Sequence, residues 1–307
     1  MTGIFIDGSA GTTGLRIRER LADRKDLQLL TLPEETRKDP AARADMLNRA
    51  DISFLCLPDA AAVEAVSLVT SPHAVIIDTS TAHRVAEGWV YGMPELPGQR
   101  EKLASARRIA NPGCHASGFI ALVAPLIRAG VLHKDARLSC FSLTGYTGGG
   151  KKMIAEYEAA DRDPLLDAPR PYGLSQSHKH LPEMQALCDL RFAPVFCPVV
   201  ASFPCGMEVT VPLHASDLSV PAKALGDIYR DTYQGGLIRF VPEAGENGFL
   251  SAAAMAGRDS MEISVHGNED RILLVSRFDN LGKGASGAAI QNMNIVLGRK
   301  ETEGLVL

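Results

Sequence analysis

The chain holds 307 residues, which at roughly 150 residues per domain corresponds to about two compact units, each large enough to bury a core. Lys and Arg number 32 against 36 Asp and Glu, a net charge of −4, so there is no field to hold nucleic acid or an acidic membrane surface nonspecifically. The apolar run through Phe119, Ile120, Leu122 and Val123 is broken by Pro125 and Arg128, well short of the ~18 residues a membrane span needs. Asp7 and a Gly-rich turn follow the first apolar run, unlike a secretory leader. A cytoplasmic protein is expected. Six cysteines (Cys56, Cys114, Cys140, Cys188, Cys197, Cys205) include no CxxC pair, which favours reduced thiols over a disulfide framework or a zinc site.

In chain order, residues 3–7 predict a buried strand, 8–14 a turn, and 15–22 a helix with one apolar face carrying Leu15, Ile17 and Leu21. A strand at 27–32, a helix at 41–49, a strand at 52–57, a helix at 60–69 and a strand at 75–78 continue the alternation. This rhythm predicts an α/β fold, a Rossmann-type doubly wound parallel sheet. From about Ala116 the texture changes. A long helix through Leu126 precedes strand-like runs at 137–143, 192–201, 207–213, 261–266 and 271–278, which predict an α+β domain with a mainly antiparallel sheet. The segment 284–297 reads as a helix able to return to the first domain. The expected division is therefore 1–115 with 280–307, and 116–279.

The first turn reads Gly8, Ser9, Ala10, Gly11, Thr12, Thr13, Gly14, a GxxGxxG run between strand and helix. Glycines there let the backbone approach a pyrophosphate, and the helix N-terminus attracts its charge. The spacing departs from GxGxxG, and the alternative is plain structural punctuation. After the second strand come Glu34 and Glu35, then Arg37 and Lys38. An acid in that place accepts a ribose 2′-hydroxyl, whereas a cation pairs with a 2′-phosphate. The cations favour NADP over NAD, the alternative being a solvated charged loop.

Asn111-Pro112-Gly113-Cys114-His115 directly precedes the long helix. A cysteine at a helix N-terminus meets free N–H groups and a positive partial charge, which favour the thiolate, and the same donors can form an oxyanion hole. Cys56 and Cys140 lie inside apolar runs and fit the ordinary buried-thiol pattern; Cys114 does not, and is the candidate nucleophile. Its base is His115, adjacent but expected to point away, or one of the pair in Ser177-His178-Lys179-His180-Leu181-Pro182-Glu183. A metal on that pair is the weaker idea, because no HExxH or Cys partner accompanies it. Two further loops, 80–84 with Ser80 and Arg84 and 144–152 with Lys151, combine hydroxyls, glycine amides and cations that converge on anions or serve as ordinary connections.

The segments IFIDGSAGTTG, CLPD, IIDTSTAHR, YGMPEL, ANPGCHASGF, GYTGGGKKM, SHKHLPEM and FDNLGKGASGAAIQNMN, in this order across nearly the whole chain, resemble the short form of N-acetyl-γ-glutamyl-phosphate reductase, within the superfamily of aspartate-semialdehyde dehydrogenase. The resemblance implies NADPH-dependent reduction of N-acetyl-L-glutamyl 5-phosphate to the 5-semialdehyde with release of phosphate, in arginine biosynthesis, without a metal. It implies Cys114 as nucleophile and assigns the catalytic histidine to the HxH segment, with His180 preferred and His178 in reserve. It places the 8–14 turn at the cofactor phosphates, Arg37 and Lys38 near the 2′-phosphate, and Pro58 and Ser80 along the nicotinamide. Asn280 and Gly284 are expected to return to that cleft. Arg84 and Lys151 become candidates for substrate anions, and a homodimer or homotetramer is implied. His115 stands where many relatives carry Tyr. The alternatives are a related acyl-phosphate reductase acting on aspartyl or aminoadipyl phosphate, and a non-catalytic NADP-binding sensor.

Overall fold

A computed structural model describes residues 1–307. Two compact units result: Met1–Pro94, Gly98–Pro112 and Ala285–Leu305 form the first, and Glu95–Pro97, Gly113–Gly284 and Val306–Leu307 the second.

The first unit begins with β1 (Thr2–Asp7) and α1 (Thr12–Leu21), whose buried Gly14, Ile17 and Leu21 fall on one helical face. β2 (Leu27–Leu30) follows, then α2 (Pro40–Arg49). Asp39 caps α2 by accepting the N–H groups of Ala41 and Ala42, and Pro40 supplies a first-turn residue with no N–H to satisfy. β3 (Ile52–Leu55), α3 (Asp59–Ser67) and β4 (Val75–Asp78) come next, the two strands buried at every position, as central strands of a covered parallel sheet must be. β5 (Val90–Tyr91), α4 (Gln99–Ala104) and β6 (Arg108–Ala110) complete the edge. The order is β2-β1-β3-β4-β6-β5, with every pair parallel. The chain leaves β1 toward β2 and then continues from β3 on the other side, so the topological switch lies between β1 and β3, where ligands of such sheets bind beyond the strand ends.

The second unit opens with α5 (Cys114–Arg128), buried without interruption from His115 to Leu126. Pro125 cannot donate the bond that would reach the Ala121 carbonyl four residues back. The buried Tyr233 hydroxyl donates to that carbonyl at 2.7 Å instead, and Tyr229 donates to the Leu122 carbonyl at 2.7 Å. Then come β7 (Ser139–Gly145), α6 (Gly150–Glu158), β8 (Arg170–Pro171), α7 (Leu181–Leu187), β9 (Val195–Ala201), β10 (Met207–His214), α8 (Leu225–Thr232), β11 (Ile238–Phe240), β12 (Met261–Gly267) and β13 (Arg271–Phe278). The sheet order is β11-β12-β13-β10-β7-β9-β8, antiparallel except for the β7–β9 and β11–β12 pairs. One face of this sheet carries the exposed Phe141, Val195 and Leu273. After β13 and a wide π-type turn at Gly282–Ser286, α9 (Gly287–Val296) packs Ala289, Ile290, Met293 and Ile295 into the core of the first sheet.

The structure differs from expectation in the short pieces. β5, α4 and β6 occupy 90–110, where no element is predicted, because two- and three-residue strands carry no readable period. The 144–152 segment is not one loop: β7 runs to Gly145, a 3₁₀ turn spans Tyr146–Gly149, and α6 starts at Gly150. No helix is long and apolar enough to cross a membrane.

Candidate active site

In the second unit the chemistry gathers at the start of α5. Gly113 is the N-cap, no side chain caps the first turn, and Cys114 is the first helical residue, only partly exposed. Its N-terminal position places it among backbone N–H groups and the positive end of the helix. The α-carbon of Gly284 lies so near that an added Cβ would stand 3.0 Å from the Cys114 Cβ.

The loop entering α7 brings the histidine pair to the same place. The His115 and His180 ring centres lie 5.4 Å apart, His115 and His178 5.8 Å, and His178 and His180 4.8 Å. His180 is buried, and its Nε2 lies 4.0 Å from Glu183 Oε1 one turn along α7. The other carboxylate oxygen, Glu183 Oε2, accepts the Gly113 N–H at 3.1 Å. One buried carboxylate thus links the histidine to the turn that carries the cysteine.

His115 is buried between Ser142 of β7 and Tyr172, its Nδ1 2.7 Å from Ser142 Oγ and its Nε2 2.6 Å from the Tyr172 hydroxyl. Burial, and secondarily the charge of His178, push its pKa down to about 3. It is therefore a neutral, hydrogen-bonded ring and no base for Cys114. Desolvation pushes the Cys56 thiol up to about 12 and raises those of the buried Cys140 and Cys188. Tyr172 is also raised, first by burial and then by the Cys114 charge.

In the first unit, the carboxyl ends of β1, β3, β4 and β6 carry the second group of candidates. Gly8 adopts φ +87°, and a Cβ there would lie 2.2 Å from the Cys56 carbonyl oxygen; at Gly14 it would lie 2.5 Å from the Gly8 carbonyl oxygen. Only glycine fits both positions. Gly11 is the N-cap of α1 and offers no side chain to the first turn. These open N–H groups on a ten-residue helix at a switch point fit a dinucleotide pyrophosphate. Behind the turn, Asp7 is buried against Arg43 with Oδ2 2.9 Å from Nη2. Arg37, on the loop after β2, is half exposed and pairs with Glu34 at 2.8 Å; Lys38 is exposed beside it.

Pro58 caps α3 just beyond β3. Ser80, beyond β4, donates to Asp78 Oδ2 at 2.7 Å, and His83 Nδ1 lies 2.6 Å from the same oxygen. Arg84 directs its Nε to the Asn111 carbonyl at 3.1 Å and its Nη2 to the Thr79 carbonyl at 3.3 Å. Asn111 also donates to the Ala285 carbonyl and bonds the buried Asn292. The chain just before Pro112-Gly113-Cys114 is thus tied at each polar group.

Asn280 and Gly284 fall in the second unit. The Asn280 side chain accepts the Gly206 N–H at 2.9 Å and donates to Thr147 Oγ1 at 3.1 Å, bracing the loops around β7 and β10. Lys151 is exposed in the first turn of α6. Tyr172, Ser142 and the role of Glu183 are not legible in the sequence. The only signal was the position of Glu183 one turn after His180, which places the two on one helix face.

The sequence profile described as semialdehyde dehydrogenase, NAD binding domain, matches residues 18–106, and that described as semialdehyde dehydrogenase, dimerisation domain, matches residues 114–280. The fold is similar to the crystal structure of aspartate semialdehyde dehydrogenase II from Vibrio cholerae, with TM-score 0.72, 16% identity, and 97% and 98% of the two chains covered. It is likewise similar to aspartate semialdehyde dehydrogenase from Francisella tularensis, with TM-score 0.73, 13% identity, and 97% and 100% covered. Closer in sequence are the proteins named N-acetyl-gamma-glutamyl-phosphate reductase of Brucella ovis and Brucella melitensis. Each is 48% identical over 306 residues, covering 96% of this chain and 99% of the relative. The chain belongs to the N-acetyl-gamma-glutamyl-phosphate reductase family.

Proposed function

We propose that this protein reduces N-acetyl-L-glutamyl 5-phosphate to N-acetyl-L-glutamate 5-semialdehyde with NADPH, releasing phosphate, in arginine biosynthesis. The single observation that carries the chemistry is the Gly113–Glu183–His180 linkage at the partly exposed Cys114. The Cys114 sulfur attacks the acyl carbon, the carbon–oxygen bond to phosphate breaks, and a thioester forms on the sulfur. NADPH, when bound, supplies the electron pair and hydrogen that reduce this carbon. Collapse of the resulting hemithioacetal breaks the carbon–sulfur bond, frees the aldehyde and regenerates the Cys114 thiolate. His180, held by Glu183, takes the thiol proton at the start and returns one to the departing oxygen; His178 beside it is the reserve. The N–H groups of the first turn of α5 stabilise the oxyanions.

The 8–14 turn holds the pyrophosphate, with Arg37 and Lys38 at the 2′-phosphate and Pro58 and Ser80 toward the nicotinamide. Lys151 is an exposed cation available to a substrate anion, while Arg84 supports the loop carbonyls. A free thiol requires a reducing compartment, which fits the cytoplasm. The exposed Phe141, Val195 and Leu273 on the open sheet face support association with a second copy, and Phe141→Asp lowers the mass seen by sedimentation.

The test runs the reaction in reverse with the semialdehyde, phosphate and NADP⁺, following the reduced nicotinamide. Cys114→Ser lowers kcat about a thousandfold or more; full activity overturns the covalent route. The acetylated glutamate semialdehyde gives a higher kcat/KM than the aspartate or aminoadipate semialdehydes, since selectivity is a ratio of transition-state binding. Turnover of none of them leaves a dinucleotide-binding sensor.

A further inference from the structure

His115 is the second residue of α5, next to the nucleophile, and its two ring nitrogens are both engaged: Nδ1 with Ser142 Oγ at 2.7 Å and Nε2 with the Tyr172 hydroxyl at 2.6 Å. Phe196, His178 and His180 surround the ring, with centres 5.3, 5.8 and 5.4 Å away. The ring is neutral, because burial holds its pKa down at about 3. It therefore carries one N–H and one lone pair, and two tautomers compete. If Nδ1 carries the hydrogen, it points at Ser142 and Nε2 accepts from Tyr172. If Nε2 carries it, Ser142 donates to Nδ1 and Nε2 donates to the tyrosine oxygen.

The surroundings choose between them. Ser142 has no exposed surface and His115 is its hydrogen-bond partner, so the first tautomer strands the serine hydrogen in the core, which is costly. Tyr172 is only partly buried, and its hydrogen can meet solvent or a ligand. The second tautomer satisfies every group: Ser142 donates, His115 relays, and Tyr172 has its hydrogen left to give.

We propose that Ser142, His115 and Tyr172 form a directional hydrogen-bond chain that presents the Tyr172 hydroxyl as a donor to the acyl oxygen of the substrate at Cys114. His115 is the positioning residue and Tyr172 the group that touches substrate. This rests on Cys114 being the nucleophile. The phenol is raised above its ordinary value by burial and by the Cys114 charge, so it stays protonated and acts by hydrogen bonding, with no proton transferred. The Tyr172 donor adds to the N–H groups of α5 in holding the oxyanion.

Three variants separate this role from packing. Tyr172→Phe removes the hydroxyl. His115→Asn places an amide near the Nδ1 position, in reach of Ser142 but short of Tyr172, whereas His115→Gln extends an amide to the Nε2 position. In the reverse assay, Tyr172→Phe and His115→Asn each lower kcat by about tenfold to a hundredfold, consistent with loss of one oxyanion donor. The double variant falls no further, and His115→Gln stays within about threefold of wild type. Wild-type kcat in Tyr172→Phe overturns the proposal, as does a double variant whose loss is the product of the two single losses. If His115→Asn does not fold by circular dichroism, Ser142→Ala with and without Tyr172→Phe puts the same question through the other end of the chain. Cys114→Ser distinguishes the layers: if it is active, the covalent reading fails; if it is inactive while Tyr172→Phe is unimpaired, only the hydrogen-bond chain fails.

Discussion

Glu183 Oε2 accepts the backbone N–H of Gly113 at 3.1 Å, so a carboxylate on α7 fixes the turn that presents the nucleophile on α5. Its other oxygen faces His180 at 4.0 Å, within the range where a negative charge favours the imidazolium formed during proton transfer.

Glu183→Gln keeps an oxygen for Gly113 but removes that charge. The expected result is a kcat lower by about tenfold with a melting temperature within a few degrees of wild type. Glu183→Ala also leaves a buried N–H unpaired and costs about 1–3 kcal/mol of stability. Denaturant unfolding beside steady-state kinetics checks both; equal kcat in wild type and Glu183→Gln removes the electrostatic role.

Stability falls in acid in a window set by His115. Its folded pKa is depressed to about 3 from an ordinary 6.5, so between these values the unfolded chain binds a proton that the folded one does not. Stability from this residue is complete above about pH 6.5 and is lost as pH drops toward 3, at up to about 1.4 kcal/mol per pH unit. Urea unfolding of wild type and His115→Gln at pH 7, 6, 5 and 4 should show a gap that narrows with acid. A constant gap contradicts the burial argument.

Tyr233→Phe orphans the Ala121 carbonyl, whose usual partner is missing because residue 125 is proline. The expected loss is about 1–3 kcal/mol. Adding Pro125→Ala restores a backbone N–H at the right position, and the double variant should regain most of that loss. Equal stability of the single and double variants would show that the carbonyl is satisfied some other way.

Arg37→Ala combined with Lys38→Ala should raise the Kd for NADPH at least about tenfold and leave NADH within a factor of about two, since only the 2′-phosphate offers charges to these side chains. The Arg37–Glu34 pair is exposed on both sides, so its loss should hardly change the melting temperature. Fluorescence titration with both cofactors decides; equal weakening of the two refutes the assignment.

The N-terminal alternation from β1 to β4 was legible because each piece carries its own signal: short apolar runs for the strands, an apolar helical face after the first of them, and a glycine run between β1 and α1. The sequence also marked Cys114, since Pro-Gly followed by a long apolar run announces a helix start. What it left open were relations between residues far apart. Sequence spacing does not decide among His115, expected only to point away from Cys114, and the pair His178 and His180; burial between Ser142 and Tyr172 is what removes His115 from the role of base. Glu183 acquires its meaning only from Gly113, 70 residues earlier. Tyr233 looks like an ordinary core tyrosine until it meets the helix that Pro125 interrupts, 112 residues before it at Ala121. Local sequence determines where strands, helices and their termini fall, because those depend on neighbouring residues. Which side chains lose water and which donor meets which acceptor depends on packing across the chain, and only the tertiary structure decides that.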